Sequence, residues 1–235
     1  MLIGGRQDLL EDMSLEDGKA YNDKLMPIGM GAVTPDSSIP VEWMFHEIWE
    51  GMRSRETMLA NSVLEPCFVF MRAQTDKSRQ TINELGDYMI YRERDVGSAL
   101  LSSLMRFAMD LCLSPDELEA VQPAEKHCAK HIAIVNDIYS WEKELAQSRK
   151  SSEEGSVLCS AVKVMADNAG LSIDPARRVL WSMVREWEAK HELLCAMLYT
   201  KDSTDAKGLY LKGLQYQMSG NELWSRTTPR YLMVD

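Results

Sequence analysis

The sequence of 235 residues has no apolar run near the roughly 18 residues that a membrane-spanning helix needs. Its five cysteines are odd in number, scattered and without a CxxC pair, which argues against a disulfide scaffold or a zinc ribbon. Residues 1–6 contain no basic stretch followed by an apolar one, so we expect no signal peptide. These absences predict a cytoplasmic protein whose thiols are reduced and mostly buried.

Excess positive charge is also missing from the chain. Lys and Arg number 26 against 36 Asp and Glu, which leaves a formal net charge of −10. A general nucleic-acid binder needs basic surface to displace counterions from phosphates, and an anionic membrane surface attracts basic segments. We therefore expect neither nucleic acid nor membrane as a partner. The apolar share of 45% and the charged share of 26% are typical of a folded globular protein.

Strand signals are scarce, because no alternating β-branched segments bounded by turn residues occur. Long stretches instead carry apolar residues at i, i+3 and i+4, the period of an amphipathic helix. Proline and glycine, which interrupt helices, number only 8 and 13. The sequence predicts an all-α fold in a single domain spanning residues 1–235.

The periodicity also predicts where the helices lie. Pro66 is expected to kink or divide the first of them, and Ser114 to cap a short helix that ends near Pro123. The segment 96–111 is apolar nearly all round and is therefore predicted to be buried. Residues 148–155 are polar and are predicted to form an exposed loop and a mobile lid. The predicted helices cover about residues 40–71, 81–95, 96–111, 114–122, 124–147, 156–169, 174–199 and 209–224.

One helix carries oxygen-bearing side chains on a single stripe. Asn136, Ser140 and Glu144 stand at i, i+4 and i+8, which places them on one helix face over two turns. An amide oxygen, a hydroxyl and a carboxylate are hard ligands of the kind that Mg²⁺ prefers. The neighbouring Lys143 could reach phosphate oxygens. The alternative interpretation is a solvated amphipathic stripe, but the apolar residues 132–135 before it favour a face turned towards a cavity.

Other polar groups are weaker signals by themselves. Arg92 is a residue type suited to bidentate phosphate binding, and Gly97 permits a helix break or a close backbone approach. Arg230 and Tyr231 near the C-terminus would matter only as further phosphate donors. His127 and His131 lie one turn apart, but no HExxH glutamate accompanies them, so we do not expect zinc there.

The segment 136–144, NDIYSWEKE, has the form NDxxSxxKE and resembles the second metal motif of class I terpene cyclases. Arg92 lies 44 residues before Asn136, where that family has its diphosphate-sensing arginine. Arg230 and Tyr231 resemble the family's C-terminal RY pair. The segments 9–19 and 217–224 are similar to the fungal members that make aristolochene, and the resemblance extends from about Asp8 to the C-terminus.

The resemblance implies a helical bundle around an apolar, aromatic-lined cavity in which three Mg²⁺ ions hold farnesyl diphosphate. It further implies release of diphosphate and cyclisation of the farnesyl cation to aristolochene. The metal ligands would be Asn136, Ser140, Glu144 and Asp8. The diphosphate donors and catalytic residues would be Arg92, Lys143, Arg230 and Tyr231. The aromatic lining near the substrate would include Phe68, Phe70 and Trp224.

The first metal motif of the family would read Asp-Asp-Leu-Leu-Glu at this point, but Gln7 replaces its first aspartate. Loss of that carboxylate is expected to weaken cation binding, and Asp8 or Glu11 would substitute only partly. Family members also carry further helices before this motif, so a shortened bundle with exposed apolar walls is expected.

Two rival functions remain open at this stage. A catalytically impaired remnant would be a helical protein that binds diphosphate and Mg²⁺ weakly or not at all. A chain-elongating prenyl synthase would need two DDxxD motifs, and the sequence has neither. The leading hypothesis is a Mg²⁺-dependent cyclase whose partners are farnesyl diphosphate and diphosphate, with a homodimer as an open alternative.

Overall fold

The computed structural model describes residues 10, 12–198 and 204–231. Within these residues the chain is helical and contains no strand, which confirms the all-α prediction. The α-helices are α1 Leu15–Gly29, α2 Pro40–Arg55, α3 Thr57–Ala73, α4 Leu85–Asp95, α5 Ser98–Ala108, α6 Pro115–Lys150, α7 Ala161–Ala169, α8 Ile173–Leu198 and α9 Ala206–Thr227. Short 3₁₀ helices cover Lys77–Gln80, Glu154–Ser156 and Pro229–Tyr231.

The central element is α6, which packs along both α8 and α9. It contributes to two of the three apolar clusters, one shared with α4, α7 and α8 and another shared with α9. The third cluster joins α1, α2, α3 and α5. Ile134 and Val135 on α6 are fully buried, and each such side chain stabilises the fold by about 1.5–3 kcal/mol relative to exposure. No described helix combines the length and apolar character needed to cross a membrane.

The predicted break of the first helix at Pro66 lies elsewhere in the structure. The break in the first predicted helix falls at Glu56, whose backbone is extended, and Pro66 lies inside α3. The Glu56 carboxylate accepts hydrogen bonds from the amides of Met58 and Leu59 and so caps α3. Glutamate is not among the preferred capping residues, which explains why the sequence did not signal this boundary.

The long helix α6 continues through Pro123, so the prediction of two helices there is wrong. The capping box at Ser114 and Glu117 that starts it is confirmed. Pro123 removes one amide donor and frees the carbonyl of Glu119. Both residues are exposed, so water can satisfy that carbonyl while the packing of α6 on α8 and α9 holds the helix together.

The prediction of a fully buried helix over residues 96–111 is also wrong. Only Leu100, Ser102 and Ser103 of α5 are buried, while Ala108 and the following Met109 are exposed. The described residues cover one side of α5, mainly through α3, and leave part of its apolar surface open. An apolar pattern on all sides of a helix is typical of buried helices, but the helix is buried only where other elements pack around it.

The predicted exposed loop at residues 148–155 is shorter than expected. Helix α6 includes its first three residues, and Gly155 at its end is buried. The Gly155 amide donates a 3.1 Å hydrogen bond to the carbonyl of Met13, and a Cβ at Gly155 would lie 2.0 Å from the carbonyl oxygen of Leu10. Only glycine permits this approach, which joins the start of the chain to the segment after α6.

Helix α1 was not predicted from the sequence, although a local signal was present. Ser14 accepts a 3.0 Å hydrogen bond from the amide of Asp17, as expected for an N-cap residue. The buried Asn22 donates to the carbonyl of Met71 at 2.6 Å and ties α1 to α3.

Cys67, Cys128 and Cys195 are buried and all five cysteines are free, as predicted.

Replacing Gly97 by alanine is expected to destabilise the fold more than the same change at Gly170. Both residues adopt left-handed backbone conformations, at φ +71° and +60°, which cost a non-glycine residue about 1–2 kcal/mol. A Cβ at Gly97 would also lie 3.0 Å from the ring of Phe70, whereas a Cβ at Gly170 would meet nothing within 4 Å. Urea unfolding of the two variants measures the difference. Equal losses in the free energy of unfolding would show that the contact with Phe70 adds no cost to the substitution at Gly97.

Stability is expected to fall as the pH drops from 7 to 5 because His131 and His191 are almost fully buried. Burial lowers the pKa of each below the ordinary value of 6.5. Protons therefore bind the unfolded chain more readily, and this contribution to stability is lost as the pH falls below 6.5. His191→Gln should flatten the dependence of the urea midpoint on pH. Identical slopes in the wild type and this variant would contradict the expectation.

Candidate diphosphate and metal site

A polar cavity of about 100 Å³ lies where α4, α6 and two 3₁₀ helices meet the segment 155–159. Among the described residues, four cations and two carboxylates line it, so their charges sum to a positive value in a chain of net charge −10. Such a concentration attracts anions. The charged lining residues are Arg79, Arg92, Lys143, Arg230, Asp95 and Glu144.

The predicted metal ligands Asn136, Ser140 and Glu144 all line this cavity. The Ser140 hydroxyl donates to Oε1 of Glu144 at 2.7 Å, so two of the candidate ligand oxygens already lie side by side. Adjacent ligands of an octahedral Mg²⁺ with bonds of 2.0–2.1 Å are about 3 Å apart. The donor types and this spacing fit a hard divalent cation, and their role as ligands stays a prediction.

Arg92 is the most enclosed cation of the site, at 7% exposure. It donates from Nη2 to Oδ1 of Asn136 at 2.7 Å and from Nε to Oδ1 of Asp137 at 3.1 Å, and it pairs with Asp95. Burial alone would lower its pKa, but Asp137 and other anionic neighbours raise that pKa well above its ordinary value. Arg92 therefore remains a cation, and its contacts with Asn136, Asp137 and Asp95 fix the orientation of the guanidinium.

Asp137 is fully buried beneath the cavity and was not singled out from the sequence. Its Oδ2 accepts from the Tyr88 hydroxyl and, at 2.9 Å, from the amide of Ala161 at the start of α7. Burial raises the pKa of this carboxyl group, while Arg92 and these hydrogen bonds oppose the rise. A signal was present, because an aspartate between the apolar residues 132–135 and Ile138 must be paired if the helix buries it.

The remaining predicted donors come from distant parts of the chain. Lys143 is on α6, and Arg230 and Tyr231 form the last 3₁₀ helix. All three line the cavity with Arg92 and Asn136, as the prediction of convergence at one mouth requires. The Tyr231 hydroxyl accepts from Nδ2 of Asn136 at 2.6 Å, and burial raises the pKa of this tyrosine to about 12. Tyr231 therefore stays a neutral hydrogen-bonding group at physiological pH.

The predicted aromatic residues take different positions around the site. Phe68 and Phe70 are buried in the α1–α2–α3–α5 cluster, and Phe70 packs against Gly97, just after α4. Trp224 on α9 is 48% exposed, and its ring meets the edge of Tyr231 with centroids 5.5 Å apart. Of the three side chains, the ring of Trp224 is the one that packs against a polar residue of the cavity, and a lining role for the three stays a prediction. Gln7, Asp8 and Glu11 lie outside the described residues.

His131 of the predicted histidine pair belongs to a polar network with two carboxylates. His131 lies 2.8 Å from Oε1 of Glu188 and 3.9 Å from Oε2 of Glu222, a grouping of potential ligands. Arg185 binds both carboxylates, at 2.8 Å in the case of Glu222. These residues form a charge-compensated network joining α6, α8 and α9.

The family profile described as terpene synthase family 2, C-terminal metal binding, matches residues 8–190. The chain belongs to this family. The matched range includes the Asn136–Ser140–Glu144 stripe and Arg92, so the metal-binding character predicted from the spacing agrees with that of the family.

Named relatives are similar over nearly the whole chain. The aristolochene synthase prx2 of Penicillium rubens is 54% identical over 226 residues, which are 95% of this chain and 66% of the relative. The aristolochene synthase of Aspergillus terreus is 52% identical, over 97% of this chain and 71% of the relative. The chain thus spans about two thirds of the length of these relatives.

A solved structure supports the same relationship. The crystal structure of aristolochene synthase from Penicillium roqueforti superposes with a TM-score of 0.81 and 52% sequence identity. The match covers 97% of this chain and 76% of the other. The all-α bundle of this family is therefore confirmed as the fold.

Proposed function

We propose that this protein is a sesquiterpene cyclase that ionises farnesyl diphosphate with Mg²⁺ and cyclises the farnesyl cation to aristolochene. The observation that carries the proposal is one cavity that unites the Asn136–Ser140–Glu144 stripe with Arg92, Lys143, Arg230 and Tyr231. The similarity to fungal aristolochene synthases supports the substrate and the product. Three Mg²⁺ ions per site remain a prediction from the family resemblance.

The chemistry follows from the charge that develops during ionisation. The allylic C–O bond breaks and its electron pair leaves with diphosphate, which gains negative charge. Donors aimed at those oxygens stabilise this charge most strongly in a site with little water. Arg92, Lys143 and Arg230 supply cationic donors, and Tyr231 supplies a neutral one. Bound Mg²⁺ would add positive charge at the same oxygens.

The size of the cavity assigns it to the diphosphate rather than to the hydrocarbon. Sites for small organic molecules measure about 300–1,000 Å³, well above the volume of about 100 Å³ here. The farnesyl chain therefore needs apolar surface next to this cavity. Trp224 lies beside Tyr231 and presents an aromatic face of the kind that stabilises a cation.

The test is incubation of the purified chain with farnesyl diphosphate and MgCl₂. We expect Mg²⁺-dependent release of diphosphate and a cyclic sesquiterpene, identified as aristolochene by gas chromatography with mass spectrometry. EDTA should abolish both. Diphosphate release with farnesol as the main product would mean that ionisation occurs without protected cyclisation. Binding of diphosphate without turnover would favour the alternative of a helical binding protein that has lost activity.

A further inference from the structure

Arg79 is a cavity residue that no sequence motif indicated. It lies on the 3₁₀ helix Lys77–Gln80, whose start is capped by Asp76 through a 2.9 Å hydrogen bond from the amide of Ser78. This short helix forms a wall of the polar cavity, and the Arg79 side chain lines the cavity together with Arg92 and Lys143. The cap fixes the backbone from which the guanidinium extends.

The hydrogen-bond partners of Arg79 are backbone carbonyls rather than carboxylates. Nη1 donates to the carbonyl of Gln74 at 3.2 Å and Nη2 to the carbonyl of Val157 at 3.4 Å, whereas Nε is buried without a hydrogen-bond partner. No ion pair between Arg79 and a carboxylate occurs in the described parts of the chain. Burial opposes the charge of Arg79, while the nearby Tyr91 and Asp95 raise its pKa, so the guanidinium stays a cation. A largely enclosed cation that no carboxylate contacts directly is stabilised by an anion that binds beside it.

Arg92 in the same cavity shows the contrast. Its charge is balanced by Asp95 and Asp137, at 2.9 Å in the case of Asp137. Two carboxylates thus form ion pairs with Arg92, whereas Arg79 donates to backbone carbonyls. Of these two guanidinium groups, only Arg79 has no direct ion pair with a carboxylate among the described residues.

We propose that Arg79 is a further diphosphate-binding residue that contacts the anion through two N–H groups, an inference that rests on the proposed function. The planar guanidinium matches two oxygens of a phosphate group at once, which an ammonium group cannot do. Its position on the 3₁₀ helix places this contact on a wall formed neither by α6 nor by the C-terminal residues. Arg79 thereby enlarges the set of donors that hold the leaving group.

Isothermal titration calorimetry with inorganic diphosphate and MgCl₂ tests the proposal on the full chain. Arg79→Gln should weaken diphosphate binding about tenfold or more, because a hydrogen bond to a charged group is lost. Arg79→Lys keeps the charge but not the fork and should weaken binding several-fold. Arg72→Gln is the matched control, since Arg72 is half exposed on α3 and pairs with Glu65. It should bind diphosphate as the wild type does.

Thermal unfolding by circular dichroism shows which variants are folded, so that affinities are compared only among folded proteins. Wild-type affinity in folded Arg79→Gln would overturn the proposal and leave Arg79 as a structural link between Gln74 and Val157. If Arg79→Gln does not fold, unchanged affinity in Arg79→Lys overturns the two-point contact. A wild-type chain that binds no diphosphate with Mg²⁺ would overturn the proposed function as well, which distinguishes the two failures.

Discussion

Glu144→Gln is expected to lower Mg²⁺-dependent turnover of farnesyl diphosphate by about 100-fold or more. The substitution keeps the size of the side chain and an oxygen that can accept from the Ser140 hydroxyl, now at 2.7 Å from Oε1 of Glu144. It removes the negative charge that a hard divalent cation requires, and metal-based charge stabilisation contributes several kcal/mol to such reactions. Steady-state assays of diphosphate release over a range of MgCl₂ concentrations measure the effect.

The matched control for this substitution is Glu142→Gln, two residues earlier on α6. Glu142 is 53% exposed and pairs with Arg177 at 2.8 Å, away from the cavity. The Glu142→Gln variant loses the same formal charge but should retain nearly full turnover of farnesyl diphosphate. Both variants should unfold close to the wild-type temperature. Normal turnover in Glu144→Gln would remove Glu144 from the metal site.

Asp137→Asn is expected to destabilise the fold by about 3–5 kcal/mol and to reduce turnover in the molecules that remain folded. The carboxylate accepts on one oxygen from Arg92 and on the other from Tyr88 and the Ala161 amide. An asparagine would place its NH₂ group against a donor in either orientation and would leave the buried Arg92 less compensated. Removing one partner of a buried ion pair typically costs that amount.

Tyr88→Phe distinguishes the contact of Asp137 with Tyr88 from its ion pair with Arg92. It removes one hydrogen bond to the carboxylate but keeps the pair with Arg92, so a loss of about 1 kcal/mol is expected with turnover little changed. Urea unfolding and diphosphate-release assays on the two variants provide the comparison. A urea midpoint for Asp137→Asn equal to that of the wild type would show that the contact between Asp137 and Arg92 does not stabilise the fold.

The helices could be predicted to the extent that their signals are local. The capping box at Ser114 and the apolar period of α6 are read within a few residues, and both agree with the structure. The break at Glu56 and the continuity through Pro123 could not be predicted this way. Glu56 caps α3 with a residue type that is not a preferred cap, and the packing of α6 on α8 and α9 overrides the helix-breaking preference of Pro123.

The same distinction applies to the site. Asn136, Ser140 and Glu144 share a helix face because of helical geometry alone, so their alignment followed from the sequence. Their approach to Arg92 was inferred from family resemblance, because no local rule relates residues 44 positions apart. Asp137 was overlooked since it points away from that stripe into the core.

The residues alone were enough for the all-α class, the absence of membrane-spanning runs and the oxygen-rich stripe on α6, because composition and helical period are properties of neighbouring residues. Which side of α5 stays exposed, how Asp137 holds Arg92 and that Arg79 faces the same cavity were decided only by the folded chain. Each of these depends on contacts between segments far apart in sequence, whose formation reflects the packing of the whole bundle and cannot be read from any one helix.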